Sequence, residues 1–392
     1  LLMKGSNKMR LNVAVIFGGK SVEHEISIIS AIEAMGYADE SKYKIIPIYI
    51  DKDNVWYTGE HLKNILHYRD IDLVKRYAKK VALVKYDKTF VLQRLGFYKK
   101  NLCVIDLVVP IGHGAYLEDG SIQGYLNMLG VPYAGPSVIG AAIGQDKVIQ
   151  KQLLATNDIN VANYTWFYSD ELSDKKLVEK KLATLKFPVF IKPSSLGSSI
   201  GIEIAENEKE FFSKVKNVSK YDRKIIVEER IPNLKEVNVS VLGNYKKQIV
   251  SEIEEINSSS EFYSFKEKYV NNFSKTEVDT KKTKPLISKE MINDIKEYAI
   301  KTFKVLEGSG VARIDFLIND KTKEIYVNEI NTIPGSLAGY MWLPKKKNQT
   351  ELFDNLVSIA IDNKKEEEKI IKTTPGNLLE QYDKIKGTKL KK

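Results

Sequence analysis

The stretch "RIDFLINDKTKEIYVNEINTIPG", residues 313–335, reads as a β-hairpin that carries an unusual set of polar side chains. Two runs rich in β-branched and aromatic residues flank the polar cluster "NDKTK", which predicts two strands joined by a loop of about five residues. With the turn centred in this cluster, Asp315 lies opposite Glu329 and Arg313 lies opposite Asn331. Alternate residues of a strand share a face, so all four side chains are expected on one side of the sheet.

The opposite face of this hairpin is expected to be core, formed by Ile314, Phe316, Ile318, Tyr326 and Ile330. On the polar face, two directly opposed carboxylates repel each other, so a positive group must lie between them. One interpretation is a solvated face on which Arg313 compensates the charge. The other is a site for a hard cation, because carboxylate and amide oxygens suit Mg²⁺. Mg²⁺ commonly shares phosphate oxygens, so the second interpretation places a nucleotide nearby.

The composition of the 392-residue chain is typical of a globular protein with two or three domains. Its formal net charge is +10, but lysines are scattered among glutamates and no basic stripe with interleaved aromatics occurs. We therefore expect no nucleic-acid partner. No apolar run approaches the ~20 residues of a membrane span, so we expect no membrane partner either. The single Cys103 excludes an intramolecular disulfide and favours a reducing, cytoplasmic location.

The first third of the chain alternates predicted strands and helices. Segments typical of buried strands are "LNVAVIFGG" (11–19), "KIIPIYID" (44–51) and "LCVIDLVVPIGHG" (102–114). The segment "SVEHEISIISAIEAMGYA" (21–38) has helical spacing of its apolar residues. This alternation predicts the α/β class with an open parallel sheet. Ligands bind such sheets beyond the carboxyl ends of the strands, where Gly18, Gly19 and His113 lie.

Later segments predict antiparallel strands and a place for phosphate. The loop "KPSSLGSSIG" (192–201) lacks the Walker pattern, yet its small residues can offer backbone N–H groups to an anion. A flexible surface turn is the alternative, and Lys192 at the end of a strand favours phosphate. Lys147, at the start of a helix, is a second candidate cation or a solvated lysine. Glu228 and Glu236 suit ribose hydroxyls, since a carboxylate accepts two hydrogen bonds, or are surface charges.

Taken together, these segments resemble the D-alanine–D-alanine ligase family of ATP-grasp enzymes, from about Val13 to Leu379. The motifs that carry the resemblance are, in order, "FGGKSVEHEIS", "HGAYLEDGSIQGYLNMLGVPYAGPS", "QDK", "IKPSSLGSSIGI", "EFYSFKEKY", "GVARIDF" and "NEINTIPG". The resemblance implies an ATP-grasp fold, with an open parallel α/β N-terminal domain and two α+β subdomains that clamp ATP. The implied boundaries are 1–120, 121–228 and 229–392, the last of which carries the metal site.

The resemblance also implies roles around the amino-acid substrates. Glu23 would hold the ammonium of the first D-alanine, and His113 would lie near its reacting carboxylate. Arg313 and the backbone N–H of Gly335 would stabilise the oxyanion of the ligation step. Tyr340 falls at the position where the family has a serine that grips the carboxylate of the second substrate.

Further roles concern ATP and its metal ions. The residues expected to bind ATP are Lys147, Lys192, Ser198, Ser199, Glu228, Glu236 and Lys268. Tyr269, on a loop that closes the site, would link by hydrogen bonds to Glu23 and Ser198 as part of the catalytic set. Two Mg²⁺ ions, or Mn²⁺ in their place, would be held by Asp315, Glu329 and Asn331.

The implied activity is ATP-dependent joining of two D-alanines through an acyl phosphate, with release of ADP and phosphate, for peptidoglycan synthesis by a homodimer. The chain departs from the family twice, at Leu117, where a glycine usually precedes "EDG", and at Tyr340. The second departure leaves the acceptor open, with D-serine, D-lactate or another amino acid as alternatives. Tyr269 disfavours lactate, since depsipeptide-forming members generally lack it. A nucleotide-binding protein without ligase turnover is a third interpretation.

Overall fold

The structure is a computed structural model that describes residues 10–256, 285–345 and 348–373. It contains three β-sheets of seven, four and four strands, which follow one another along the chain. Helices pack against each sheet, so the predicted α/β organisation is confirmed. The predicted domain boundaries stay predictions.

The first sheet joins a parallel part to an antiparallel extension. Its strands are β1 Leu11–Gly18, β2 Tyr43–Ile50, β3 Trp56–Thr58, β4 Lys79–Tyr86, β5 Thr89–Arg94, β6 Lys100–Ile105 and β7 Leu107–Pro110. β1 pairs in parallel with β2 and β7, whereas β2 to β6 pair antiparallel in chain order. The single strand predicted over 102–114 is wrong, because Asp106 divides it into β6 and β7. Its carboxylate accepts a hydrogen bond of 2.7 Å from the N–H of Asn12.

Five helices surround or follow this sheet: α1 His24–Met35, α2 Ile71–Tyr77, α3 Ser121–Leu129, α4 Val138–Gln145 and α5 Lys147–Ala155. Helix α1 confirms the predicted helix and buries Ile28, Ala31 and Met35. Helix α5 begins at Lys147 because the Asp146 side chain caps it. The Asp146 carboxylate accepts hydrogen bonds from the N–H groups of Val148 and Ile149. The cap therefore fixes where the lysine side chain starts.

The second sheet is antiparallel, in the order β10-β9-β11-β8. Its strands are β8 Tyr164–Tyr168, β9 Val189–Pro193, β10 Glu203–Ala205 and β11 Lys224–Glu229, and its helices are α6 Lys175–Leu182 and α7 Glu208–Val218. The last three strands confirm that this later part of the chain forms antiparallel strands, as the sequence predicted. Phe167, Phe211 and Val218 are fully buried in the core between sheet and helices.

The third sheet has the order β13-β12-β14-β15 and is covered on one face by a helix. These elements are β12 Leu234–Gly243, β13 Gln248–Ile256, α8 Lys289–Val305, β14 Gly310–Asn319 and β15 Ile325–Asn331. Ile295, Ala299 and Phe303 of α8 recur every four residues and are completely buried against the strands. The other face of the sheet is left for polar side chains.

The β14–β15 hairpin has the predicted register around its polar pairs. Asp315 pairs with Glu329, and Arg313 pairs with Asn331. The prediction that Tyr326 lies on the core face is wrong. A bulge at Asn328 adds one residue to β15, so the alternation shifts and Val327 is buried in place of Tyr326.

After β15 the chain makes a tight 3-10 segment, Gly335–Lys345, before the long helix α9 Gln349–Glu368. Ser336, Leu337 and Ala338 all have positive φ, a left-handed conformation that costs ~1 kcal/mol or more for each residue with a side chain. The fully buried Trp342 anchors the segment in the core beneath β1 and α9. Three shorter 3-10 turns lie at Glu60–Lys63, Ile65–Arg69 and Glu171–Ser173.

We predict that Gly18→Ala destabilises the fold by more than ~2 kcal/mol. Gly18 has φ +93°, and an added Cβ would lie 2.2 Å from the carbonyl oxygen of Ile50. Gly124→Ala in α3 is the matched control. No atom lies within 4 Å of its added Cβ, so it should stabilise the protein by ~0.5–1 kcal/mol. Urea unfolding of both variants measures the difference, and equal stabilities would contradict the prediction.

Candidate functional site

A row of polar side chains crosses the open face of the third sheet. Asn238 pairs with Glu254 on one side and with Asp315 on the other, and Asp315 pairs with Glu329. Directly paired residues project from the same face, so three carboxylates and one amide line up across the four strands. The sequence identified Asp315 and Glu329. It missed Asn238 and Glu254, whose place in the row depends on pairing between distant strands.

Each carboxylate of the row has a donor. The Arg313 guanidinium gives Asp315 two hydrogen bonds, of 2.7 and 2.8 Å. Lys147 Nζ lies 3.3 Å from a carboxylate oxygen of Glu329. The Asp315 and Glu329 side chains are only 16% and 22% exposed, so the row is not the solvated surface of the first interpretation. A partly enclosed row of oxygens with movable cations can instead bind an ionic ligand.

The side chains predicted to hold metal lie together. Asn331 is beside Asp315, with Nδ2 3.3 Å from Asp315 Oδ2, and Glu329 is across the hairpin. In the described part of the chain no three His, Cys, Asp or Glu side chains form a metal cluster. The predicted set is two carboxylates and an amide, all hard oxygen donors, and that chemistry fits Mg²⁺. Arg313 and Lys147 now pair with these oxygens, so an arriving cation would replace part of that neutralisation.

A second charged group lies on the two inner strands of the second sheet, β9 and β11. The Glu228 carboxylate is nearly fully buried, with Lys192 Nζ at 2.5 Å and Lys151 Nζ at 3.0 Å. Burial alone would raise the pKa of Glu228, but the two ammonium groups outweigh it and hold the pKa at about 2. Glu228 and Glu236 help to raise the pKa of Lys192 against the effect of burial. Each oxygen of the Glu228 carboxylate is therefore paired with one lysine.

Lys151 was missed by the sequence analysis. It lies four residues after Lys147, so the two side chains share one face of α5, and this spacing was the available signal. The spacing alone does not separate a buried lysine from a solvated one. Burial by the two neighbouring sheets, which the sequence does not display, makes the difference.

The glycine-rich loop, residues 194–201, lies between the polar row, the charged group around Glu228 and a third group around Glu23. Lys147 Nζ donates a 2.6 Å hydrogen bond to the carbonyl of Leu196. Ser198 and Ser199 both have positive φ, and the Ser198 hydroxyl donates to Glu23 Oε1. The loop therefore spans from Lys147 to Glu23, as a lid over a ligand would.

Glu23, His113 and Glu118 form the third group, at the carboxyl ends of β1 and β7. Burial, with Glu118 nearby, raises the pKa of Glu23. His113 Nε2 lies 2.9 Å from Ser30 Oγ, and Nδ1 lies 3.7 Å from Glu118 Oε1. Burial would lower the pKa of His113, but the Glu118 carboxylate outweighs it and the pKa is raised. Glu118 was missed because it follows the strand by several residues.

The departure at Leu117 is absorbed locally. Leu117 is buried in the core of the first sheet, and its side chain fills the space beside Gly112 and Gly19. A Cβ on Gly112 would lie 2.0 Å from a Leu117 methyl group. The larger side chain is thus accommodated by two glycines and leaves the neighbouring Glu118 in place.

The remaining predicted residues divide between two places. Gly335 opens the 3-10 segment, close to Ser30 of α1. The Tyr340 hydroxyl donates to Glu254 Oε2 at 2.9 Å, so the carboxylate at the end of the polar row has a hydrogen-bond donor. Lys268 and Tyr269 lie outside the described residues.

Comparison with known proteins shows the family of the chain. The family model described as D-ala D-ala ligase C-terminus matches residues 153–362, and the one described as D-ala D-ala ligase N-terminus matches residues 12–136. The first match alone covers more than half of the chain. The chain belongs to the D-alanine–D-alanine ligase family.

Relatives of this family match nearly end to end. A D-alanine–D-alanine ligase of Thermosipho melanesiensis is 40% identical over 359 residues, covering 91% of this chain and 95% of the relative. The solved D-alanine-D-alanine ligase of Coxiella burnetii has a TM-score of 0.77 at 30% identity, covering 96% of this chain and 99% of the other. The VanG D-Ala:D-Ser ligase of Enterococcus faecalis has a TM-score of 0.75 at 29% identity, covering 90% and 100%. These likenesses confirm the predicted ATP-grasp fold.

We predict that Glu118→Gln lowers the pKa of His113, because burial then acts without the opposing carboxylate. Because the pKa of His113 is raised in the folded state, its protonation stabilises the fold at pH values below the ordinary pKa of 6.5. This stabilisation is lost as the pH rises through the folded-state pKa. NMR titration of His113 measures the shift. Glu171→Gln, which removes a surface carboxylate of the second sheet, is the control. A pKa unchanged by Glu118→Gln would contradict the assignment.

Proposed function

We propose that this chain uses ATP to join two D-alanine molecules, releasing ADP and phosphate, in the supply of peptidoglycan precursors. The observation that carries the proposal is the double contact of Lys147, with the carbonyl of Leu196 in the glycine-rich loop and with Glu329 in the polar row. It joins a phosphate-binding type of loop to an oxygen-lined cation site. Family membership over most of the chain supports the same activity.

Glu23 is our candidate for holding the donor D-alanine. One of its oxygens accepts from Ser198, and the other is buried without a hydrogen-bond partner among the described residues. An ammonium group would satisfy that oxygen with a charge-assisted hydrogen bond. His113, which carries positive charge more readily than an ordinary histidine, then lies where the donor carboxylate would be held.

Lys147 and Lys192 are our candidates for the ATP phosphates, with Ser198 and Ser199 in the loop above them. Lysine ammonium groups stabilise the charge that develops as the γ-phosphoryl group moves to the donor carboxylate oxygen. Lys268 and Glu236 are proposed to complete the nucleotide site.

The metal ligands are proposed to be Asp315, Glu329 and Asn331. The bound ions, two Mg²⁺ or Mn²⁺ in their place, would neutralise phosphate charge when present. The chain's own residues position the row: α5 holds β15, and Arg313 orients the Asp315 carboxylate through two hydrogen bonds.

Ligation then needs an amine and an oxyanion site. The nitrogen of the second amino acid attacks the acyl carbon, phosphate leaves, and the nitrogen gives up a proton. Arg313 and the N–H of Gly335 are proposed to face the oxyanion, a contribution of ~3 kcal/mol for one donor. The site must exclude water during this step, because water otherwise hydrolyses the acyl phosphate.

The acceptor is D-alanine in our proposal, with D-serine as the second candidate. The second candidate rests on Tyr340, where the family has serine, and on the likeness to a D-Ala:D-Ser ligase. Among the described residues no helix is long and apolar enough to cross a membrane. A cytoplasmic location and a homodimer complete the proposal on the strength of the family resemblance.

The deciding experiment measures phosphate release from ATP with D-alanine alone and with D-serine or D-lactate added, and identifies each product by mass. A D-alanine dipeptide supports the proposal. Turnover that yields only a mixed product of D-alanine and D-serine would support D-serine, the second candidate, as the acceptor. If the protein binds ATP but releases no phosphate with any of the amino acids tested, the ligase function is overturned.

We predict that Glu329→Gln reduces ATP turnover at least ~100-fold while the protein remains folded. The change removes one carboxylate charge from the cation site but keeps the size of the side chain. Phosphate release at increasing Mg²⁺ measures the effect, with thermal unfolding as the check on folding. Near wild-type turnover at ordinary Mg²⁺ would exclude Glu329 from the cation site.

We predict that Tyr340→Phe raises the KM for the acceptor several-fold and leaves the KM for the donor unchanged. The variant removes the hydrogen bond that Tyr340 donates to Glu254, so the negative charge of this carboxylate is less stabilised and repels an acceptor carboxylate more strongly. Initial rates are measured over a range of D-alanine concentrations. Saturation of the donor site and of the acceptor site appears as two separate phases, and these give the two KM values. Equal shifts in both constants would place Tyr340 outside the acceptor region.

A further inference from the structure

Lys151 is a buried ammonium that joins two sheets. It is 1% exposed, its Nζ lies 3.0 Å from Glu228 Oε1 on β11, and it donates at 3.4 Å to the carbonyl of Asn328 on β15. β11 belongs to the second sheet and β15 to the third. A buried lysine is costly unless its charge is compensated, so the position is unusual for a residue that only fills space.

The same face of α5 holds the bulged part of β15. Lys147 contacts Glu329, and the side-chain oxygen of Gln150 accepts a 3.1 Å hydrogen bond from the N–H of Ile330. Gln150 is as buried as Lys151 and is itself fixed by a 2.6 Å bond to the carbonyl of Gly144. Lys151 thus belongs to a rigid support behind the polar row and does not line the row itself.

The charges around Glu228 explain what this support does. In this arrangement the carboxylate has two cations, Lys151 and Lys192. A phosphate group that draws Lys192 toward itself removes one of them. With Lys151 in place Glu228 stays paired, whereas without it a buried carboxylate would be left uncompensated, which is strongly unfavourable.

We propose that Lys151 is a positioning residue that keeps Glu228 neutralised while Lys192 transfers to the phosphates of the bound nucleotide. The inference rests on the proposed function in one respect, that a nucleotide phosphate reaches Lys192. Lys151 touches neither nucleotide nor amino acid in this scheme. It lowers the cost of releasing Lys192 from its carboxylate.

The test compares ADP and adenosine binding by calorimetry in Lys151→Met. We expect ADP affinity to fall ~10- to 100-fold, since each bound phosphate must now compete with Glu228 for Lys192. Adenosine affinity should change less than ~2-fold, because adenosine does not draw on Lys192. Equal losses for both ligands would show a merely structural role and overturn the proposal.

The control is Lys75→Met, which also removes the lysine partner of a buried carboxylate. Lys75 pairs with Asp51 at 2.8 Å in the first sheet, away from both charged groups of the nucleotide site. It should lower the thermal stability without changing the ratio of ADP to adenosine affinity. A changed ratio in this variant would mean that general loosening accounts for the Lys151 result and would overturn the proposal.

A double variant separates charge from packing. In a Glu228→Gln background no carboxylate is left to compensate, so adding Lys151→Met should cost less than ~2-fold in ADP affinity. A full ~10-fold loss in that background would overturn the proposal. If Lys151→Met does not fold, Lys151→Gln serves in its place with the same expectations. If the wild-type protein binds ADP no more tightly than adenosine, the nucleotide phosphate site of the proposed function is refuted instead.

Discussion

The arrangement of the site follows from one constraint, the need to neutralise carboxylates that face each other across the third sheet. Asp315 and Glu329 are directly paired, and their repulsion would disfavour the hairpin without positive partners. Arg313 arrives from the same strand, and Lys147 arrives from α5. Docking of α5 therefore stabilises the hairpin, and the same contact brings Lys147, the proposed phosphate-binding lysine, to the proposed cation site.

Docking of α5 in turn sets the position of the glycine-rich loop. Asp146 caps the helix, accepts from the Ser194 hydroxyl and pairs with Lys224, so one carboxylate ties the helix start to the beginning of the loop and to β11. Lys147 then reaches the carbonyl of Leu196. The loop is held at its base by buried polar contacts, while its tip rests on Glu23. Such a loop can move at the tip without losing its attachment.

How far the sequence predicts this site depends on whether the interactions are local. The register of Asp315 against Glu329 was predictable because both strands belong to one hairpin, whose turn is marked by polar residues. The bulge that displaced Tyr326 was not, since Gln150 and Lys151, over 170 residues away, bind the backbone at that point. Glu228 shows the same limit. Its contact with ribose stays a prediction, and its two lysine partners were not predictable because they come from separate elements that only the fold brings together.

The departure at Tyr340 lies at the proposed acceptor end of the site, away from the helix that holds the proposed phosphate and cation sites. Tyr340 lies in the 3-10 segment and bonds Glu254 of β13, at one end of the polar row. Lys147 and Glu329 lie at the other end, fixed by α5. The Tyr340 phenol and the Glu254 carboxylate satisfy each other, because the phenol donates and the carboxylate accepts. The proposed acceptor end and the proposed phosphate and cation sites are therefore held by different elements, the 3-10 segment in the first case and α5 in the second.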